Sequence, residues 1–312
     1  MFRPRIAVTV GDPRGIGPEV VAKALAGDLP PARIVAIGAA PLIEALPAAE
    51  SISAGEAGPV AAKSASGTAV TLDVTPEQAG MSVRASIETA VRMALAGEVH
   101  AIVTGPAEKR ALHLVGIRYP GHTEWLADLA GGVDVAMMLV AGGLRVVLIT
   151  THLPLRDVPA AVTASRIVAT GHLARRALDD WWGIDDPRLA LCALNPHAGD
   201  GGVFGTEDDE VLAPAAEELD AAGPLPADTV FVRALRGEFD AVLVPSHDVG
   251  MTAVKVAGFG TGVNVTLGLP FIRTAPDHGT ALDIAGRGIA DAGSLTEAMR
   301  LAISLARRRE ES

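Results

Sequence analysis

Short runs of consecutive apolar residues recur along the chain, separated by segments of helical period. The runs Ile6–Val10, Arg33–Ile37, Ala101–Thr104, Leu144–Ile149, Leu189–Leu194, Ala241–Val244 and Val263–Leu267 are mostly apolar throughout rather than alternating. That pattern predicts strands covered on both faces. Met137–Val140 and Leu144–Ile149 flank Ala141-Gly142-Gly143, which predicts an antiparallel hairpin. In Val83–Ala96 the residues Val83, Ile87, Val91 and Leu95 form one i, i+4 stripe, and a second helix is predicted over Pro159–Leu178. The last predicted helix opens with Ser294 and Glu297 at capping-box spacing and buries Leu295, Ala298, Leu301 and Leu305. Alternating strands and helices predict an α/β fold with a largely parallel sheet. There is no internal repeat or evident linker, and Pro47–Gly67 is the most loop-like stretch.

Composition narrows the class. The 312 residues suffice for a large core in one or two domains, and 49% apolar against 20% charged residues argues against long disorder. A formal charge of −11 speaks against nucleic acid or an anionic membrane as partner, while leaving room for a locally basic pocket. The longest apolar stretch, Val135 to Ile149, is interrupted by Gly142-Gly143 and Arg145 and is too short to span a bilayer. The N-terminus has no apolar signal core, so the expectation is a cytoplasmic protein. Cys192, the single cysteine, lies among Leu189-Ala190-Leu191 and Ala193-Leu194 and reads as core rather than nucleophile. Arg307-Arg308-Arg309 suits a helix C-terminus better than nucleic-acid binding.

Candidate chemistry clusters after the strands. His152, His197 and His247 follow predicted strands beside Gly, Pro or Asp, where ligands of α/β proteins gather. Their separations of 45 and 50 residues match no compact metal motif, so spacing alone favours hydrogen-bonded loop histidines over a metal site. His100 and His113 read as structural or surface residues, and His172 as a residue on a polar helix face. The segment Gly11-Asp12-Pro13-Arg14-Gly15-Ile16-Gly17-Pro18-Glu19 is neither a dinucleotide fingerprint nor a phosphate loop. It is a tight strand–helix connection or a binding loop, and the residues alone leave both open. Gly258 to Asn264, then Arg273 and Asp277 to Ala281, offer backbone NH groups, an amide and a guanidinium suited to phosphate or carboxylate oxygens; turns between strands explain the same residues equally well.

Taken together, these segments resemble the 4-hydroxythreonine-4-phosphate dehydrogenase family of pyridoxal phosphate biosynthesis. The matching blocks are GDPRGIGPE at 11–19, IVTGPAEK at 102–109, GHTEWLA at 121–127, THLPLRD at 151–157, NPHAGDGG at 195–202, GPLPADT at 223–229, GFGTGVNVTLGLPFIRT at 258–274 and DHGTALDIAGRG at 277–288. They occur in family order across nearly the whole chain. The resemblance implies an isocitrate/isopropylmalate dehydrogenase-like fold of two α/β domains with a cleft between them. It implies a nucleotide-binding domain of residues 1–115 plus 255–312, and a metal, substrate and dimerisation domain of residues 116–254. It further implies a homodimer with the metal site shared across the interface. A divalent metal (Zn, Mn, Co, Ni or Mg) falls to His152, His197 and His247, and substrate contacts fall to His122, Thr123, Lys255, Asn264 and Arg273. By similarity to the adenosine loop of isopropylmalate dehydrogenases, His278, Gly279, Thr280 and Ala281 approach the adenosine and Asp283 contacts its ribose. A carboxylate there favours NAD over NADP. Asp228, Asp248 and Lys109 are unranked candidates for proton transfer, and the two aspartates also for orienting the imidazoles.

The implied reaction is oxidation, with decarboxylation, of 4-phosphooxy-L-threonine to 3-amino-2-oxopropyl phosphate. One departure bears on the substrate: where the family typically has Tyr-His-Asp-Gln-Gly-Leu-Pro-Val-Leu-Lys, this chain has Ser246, Val249, Met251 and Thr252 around a retained His247, Asp248, Gly250 and Lys255. Loss of a phenol and an amide removes polar contacts that orient a substrate. The alternative is therefore a dehydrogenase of a related small phosphorylated hydroxy acid, 4-phospho-threonate or 4-phospho-erythronate. Relatives acting on aromatic dihydrodiols resemble the chain less, because the His122-Thr123 pair is kept. Outside the class stand a metal-dependent hydrolase or isomerase and a non-catalytic ligand sensor.

Overall fold

A computed structural model of the chain describes residues 2–47, 50–55, 60–63 and 70–311. In chain order it has β1 (Arg5–Thr9), α1 (Gly17–Ala26), β2 (Arg33–Gly38), α2 (Ala40–Ile43), β3 (Glu50–Ser53), β4 (Val60–Lys63), β5 (Val70–Leu72), α3 (Pro76–Leu95), β6 (Ala101–Thr104), α4 (Lys109–Leu114) and α5 (His122–Leu129). There follow β7 (Ala136–Ala141), β8 (Leu144–Leu148), α6 (Val158–Ala161), α7 (Ala164–Asp180), β9 (Leu189–Cys192), α8 (Ala213–Glu218), β10 (Ala222–Leu225), α9 (Ala227–Leu235), β11 (Ala241–Val244), α10 (His247–Ala257) and β12 (Val263–Leu267). The chain ends with β13 (Ile272–Pro276) and α11 (Gly293–Glu311).

Two compact units emerge: residues 1–133 with 269–311, and residues 134–268. These divisions fall further along the chain than 115 and 254. The reason is local: α4 and α5 pack on α3 of the first unit, whereas β12 pairs with β7 and closes the second.

In the first unit the strands run β13-β6-β1-β2-β3, all parallel. The residues of β6 are buried throughout, as are Ile6 to Thr9 of β1, so the continuous apolar runs do mark strands covered on both faces. A separate antiparallel pair joins β4 and β5. The α3 helix starts earlier than its apolar stripe: the Thr75 hydroxyl accepts the Gln78 NH and the Gln78 side chain accepts the Thr75 NH, a complete capping box.

In the second unit the order is β10-β9-β11-β8-β7-β12. The strands β10, β9, β11 and β8 are parallel neighbours, and β7 lies antiparallel between β8 and β12. The predicted hairpin is present, turning at Gly142-Gly143. Its core joins Leu139, Leu144, Val146, Leu148, Ala190, Cys192, Val242 and Val244 with Val230 of α9 and Val254 of α10. Cys192 is fully enclosed there, and burial raises its thiol to about 12, so it is inert packing.

Three expectations are corrected. The helix predicted over Pro159–Leu178 is two, because Thr163 adopts an extended conformation and caps α7 by accepting the Arg166 NH. Ser294 is no cap: it is buried inside α11, where its hydroxyl meets the NH and carboxylate of Asp277, while Glu297 pairs with Arg300. The loop-like stretch Pro47–Gly67 contains β3 and β4, and its residues 48, 49, 56–59 and 64–67 lie outside the described residues. Among the described residues no helix is long and apolar enough to cross a membrane.

Replacing Thr75 by alanine removes one half of the α3 capping box. The expected cost is about 1 kcal/mol of unfolding free energy, read from urea denaturation; an unchanged midpoint would show that the cap contributes nothing.

Candidate active site

Parallel pairing brings the three strand-following histidines to one edge of the second unit. β9, β11 and β8 are adjacent and parallel, and the loops leaving their carboxyl ends carry His197, His247 and His152. The His152 and His247 rings lie 5.5 Å apart between centroids. His247 opens α10, and its Nδ1 sits 2.8 Å from Asp248 Oδ1, which leaves Nε2 to face a ligand. His197 does not join this pair within the chain. Its ring lies against Phe204, with centroids 6.4 Å apart, and among the described residues no three His, Cys, Asp or Glu side chains form a group able to hold a metal.

The backbone around His197 is unusual. His197, Ala198 and Asp200 have φ of 54°, 56° and 46°, the left-handed region that costs an L-residue about 1–2 kcal/mol each. Such strain persists only where surrounding contacts hold it. Elsewhere in this unit Lys255 occupies the last turn of α10 and is exposed, and Asp228 is exposed in the first turn of α9. Asn264 lies on β12, with its buried Oδ1 lacking a hydrogen-bond partner.

The first unit holds a buried cationic locus. β13 pairs with β6 in a register that sets Arg273 beside Ile102, and the arginine is only 3% exposed. Its Nε and Nη2 donate to Thr104 Oγ1 at 3.2 and 2.6 Å. Burial lowers the guanidinium to about 10, opposed by the charge of Glu124, so it stays a cation at neutral pH. His122 starts α5; burial, then the charges of Arg273 and Lys109, push its imidazole down to about 3. It is therefore neutral across the working range, and its buried Nε2 has no partner. Thr123 is buried beside it in sequence, and Lys109 begins α4 in an exposed position. A cavity of about 60 Å³ is lined by Lys109, His113, Tyr119, His122 and Trp125. That is room enough for water.

The 277–288 segment also belongs to the first unit. His278 Nδ1 lies 3.0 Å from the Gly279 carbonyl, its Nε2 is buried without a partner, and Asp283 is exposed. The structure resolves what 11–19 does locally: it braces this loop. The Ile16 NH donates to the Thr280 carbonyl at 3.0 Å, and a Cβ on Gly15 would sit 2.8 Å from that same oxygen. Buried Asp12 accepts from the Arg14 NH and guanidinium, and Arg14 reaches Glu108 at 2.6 Å. Buried Glu19 accepts the NH groups of Gly288 and Ala290. Thr104, Glu19 and Asp208, which takes the NH groups of Leu194 and Asn195, are functional neighbours that the sequence did not single out. The partners named here lie 13 to 271 positions away; Thr104 and Glu19 fall inside the blocks at 102–109 and 11–19 without being distinguished there, and Asp208 falls in none of the blocks.

With this geometry in hand, the family described as pyridoxal phosphate biosynthetic protein PdxA matches residues 23–302. The chain belongs to that family. It is 45% identical over 316 residues to a 4-hydroxythreonine-4-phosphate dehydrogenase of Aromatoleum aromaticum, covering 97% of this chain and 96% of the relative. It is 43% identical over 337 residues to a D-threonate 4-phosphate dehydrogenase of Cupriavidus necator, covering 99% of each. The crystal structure of a 4-hydroxythreonine-4-phosphate dehydrogenase from Klebsiella pneumoniae superposes with a TM-score of 0.82 at 38% identity, covering 97% of this chain and 99% of that one. The expected family and the α/β fold class are thus both met, and the matched curated members of the family are dehydrogenases.

The buried imidazole makes stability depend on pH in a definite sense. His122 in the unfolded chain takes a proton as pH falls through its ordinary value of 6.5, whereas in the folded protein it does so only near 3. Between those values the unfolded state binds more protons, so stability falls as pH drops from about 6.5 toward 3. Urea midpoints at about pH 7 and about pH 5 should show a smaller loss in His122→Gln than in the parent. Equal losses would place His122 outside this linkage.

Proposed function

We propose that the chain oxidises the secondary hydroxyl of a small phosphorylated hydroxy acid with NAD and a divalent metal, converting 4-phosphooxy-L-threonine to 3-amino-2-oxopropyl phosphate. The observation that carries this reading is the buried, charged Arg273 beside a His122 held neutral at working pH, whose Nε2 lacks a partner. A desolvated guanidinium binds phosphate or carboxylate oxygens strongly, and the orphaned imidazole nitrogen is completed by a polar group of the bound acid. Thr123, Lys255 and Asn264 are the further substrate contacts. Asn264 Oδ1, buried and unpartnered, fits a hydroxyl or ammonium donor.

The donor sets fit the two groups that the family implies. His152 and His247 are imidazoles at neighbouring strand ends, with His247 oriented by Asp248, a set that suits zinc, manganese, cobalt or nickel better than magnesium. His197 would complete it from the second subunit of a homodimer, which accounts for its separation from the other two within one chain. The 278–281 loop, with the orphaned His278 Nε2 and the exposed Asp283, fits the adenosine portion of a dinucleotide. In this reading the first unit is the nucleotide-binding one and also carries Arg273, His122 and Thr123, and the second carries the metal ligands, Lys255, Asn264 and the dimer surface.

A metal held by these histidines would lower the pKa of the hydroxyl, and a dinucleotide held by the 278–281 loop would supply the hydride acceptor. The chain supplies the rest. Arg273 holds the anionic end, and His122 and Thr123 orient the acid. Asp248 or Asp228 takes the hydroxyl proton as the C–H bond releases its electron pair and the C=O bond forms, and cationic Lys109 is the candidate proton donor. The carboxylate, now β to a ketone, leaves as carbon dioxide; its bonding pair passes to the α-carbon, which then gains a proton.

A second reading is the oxidation of 4-phospho-threonate or 4-phospho-erythronate. It is favoured by the D-threonate 4-phosphate dehydrogenase relative and by Ser246, Val249, Met251 and Thr252 beside His247. Reduced-nicotinamide formation measured on all three acids, with and without chelator, separates the two readings; turnover of none would remove both. Arg273→Ala should lower kcat/KM at least roughly 10–100-fold through loss of charged hydrogen bonds. Asp283→Lys should shift preference toward NADP, and unaltered preference would remove Asp283 from the ribose site.

A further inference from the structure

We infer that Asp208 is a positioning residue for His197. The inference rests on His197 being a metal ligand. Asp208 is completely buried and lies in a single wide helical turn, Asp208–Leu212, after the histidine loop. Its two carboxylate oxygens accept separately the Leu194 NH at 2.8 Å and the Asn195 NH at 2.9 Å. These are the last NH groups before Pro196, which has none, so Asp208 holds the strand end from which the His197 loop departs. Next to it, Asn195 Nδ2 donates to Glu207 Oε2 at 2.8 Å, a second brace between the same two segments. The loop closes back on this pair: Phe204 donates its NH to the Gly199 carbonyl at 3.0 Å, and a Cβ on Gly199 would lie 3.8 Å from Asp208 Oδ2.

Between the braces, His197, Ala198 and Asp200 stand in the left-handed region that these residues rarely occupy. The loop's own hydrogen bonds do not explain that choice, since Ala198 to Asn195 and Gly202 to Gly199 are ordinary turn contacts. What distinguishes the segment is a charged anchor in an enclosed setting, where hydrogen bonds to an ionised acceptor are strong. The carboxylate thereby fixes the direction in which the His197 imidazole leaves the sheet edge. It acts through the backbone rather than through the ring, unlike Asp248, which touches its histidine directly.

Asp208→Asn is nearly isosteric but replaces one acceptor oxygen with a donor, leaving one of the two buried NH groups unpaired. Cobalt(II) titrated into metal-stripped full-length protein and followed by its visible absorption reads the site without turnover. Loss of the support of a ligand should weaken cobalt binding roughly 10–100-fold, with NAD binding unchanged by calorimetry. Unchanged cobalt affinity in Asp208→Asn, alongside weakened binding in His197→Ala, overturns the inference and leaves His197 a ligand. Unchanged affinity in His197→Ala overturns the assignment of His197 itself. Should Asp208→Asn fail to fold, Asn195→Ala removes the second brace from a partly exposed side chain. Weaker cobalt binding with NAD binding retained is then expected, and undiminished cobalt binding would overturn the inference.

Discussion

Parallel pairing of strands buried on both faces is the constraint on which the rest of this structure depends. Parallel neighbours leave the sheet at the same edge, so side chains distant in sequence meet without any local motif. β8, β11 and β9 carry His152, His247 and His197 out at one such edge, although the residues are separated by 45 and 50 positions. The same constraint in the first unit sets Arg273 on β13 within reach of Thr104 on β6. Strand order, rather than any run of residues, assembles the chemistry.

Burial then decides the electrical character of what has been assembled. Arg273 and His122 are both desolvated, yet with opposite consequences. A guanidinium begins so basic that burial leaves it charged, whereas an imidazole loses its proton throughout the neutral range. A fixed cation beside a fixed neutral hydrogen-bonding ring is suited to an anion bearing hydroxyl groups. Cys192 undergoes the same desolvation and becomes mere packing, which shows that burial alone makes no site. The difference lies in the neighbours: Lys109 and Glu124 in one case, and in the other aliphatic strands and the Asp208 carboxylate, which holds the thiol protonated.

Much of the supporting frame is polar and buried. Arg14 with Glu108, Glu19 with the 288–290 backbone, Ser294 with Asp277, and Asp208 with 194–195 each tie one segment to another. Each joins groups 13 or more positions apart, and each is hydrogen-bonded, as most buried polar groups are. Gly15 belongs to this frame because the Thr280 carbonyl occupies the place of its missing side chain.

Apolar periodicity by itself determined where the central strands lie. The runs at 101–104, 241–244 and 263–267 match β6, β11 and β12 at both ends, because a strand covered on both faces is mostly apolar rather than alternating. Ordered motif blocks determined the family, since eight segments in one order carry far more information than any one of them. What remained illegible depended on contacts across the chain. The helix expected over 159–178 breaks at Thr163, whose hydroxyl closes a cap, and the Ser294 signal for a helix start was spent on Asp277 instead. Short edge strands such as β3 and β10 lack the apolar run because they are less buried. The sequence could name His152 and His247 as candidates, but only folding brought their rings to 5.5 Å, and only folding turned His197 toward Phe204 instead. Composition is a property of each position, whereas proximity and desolvation belong to pairs of positions that the tertiary structure alone brings together.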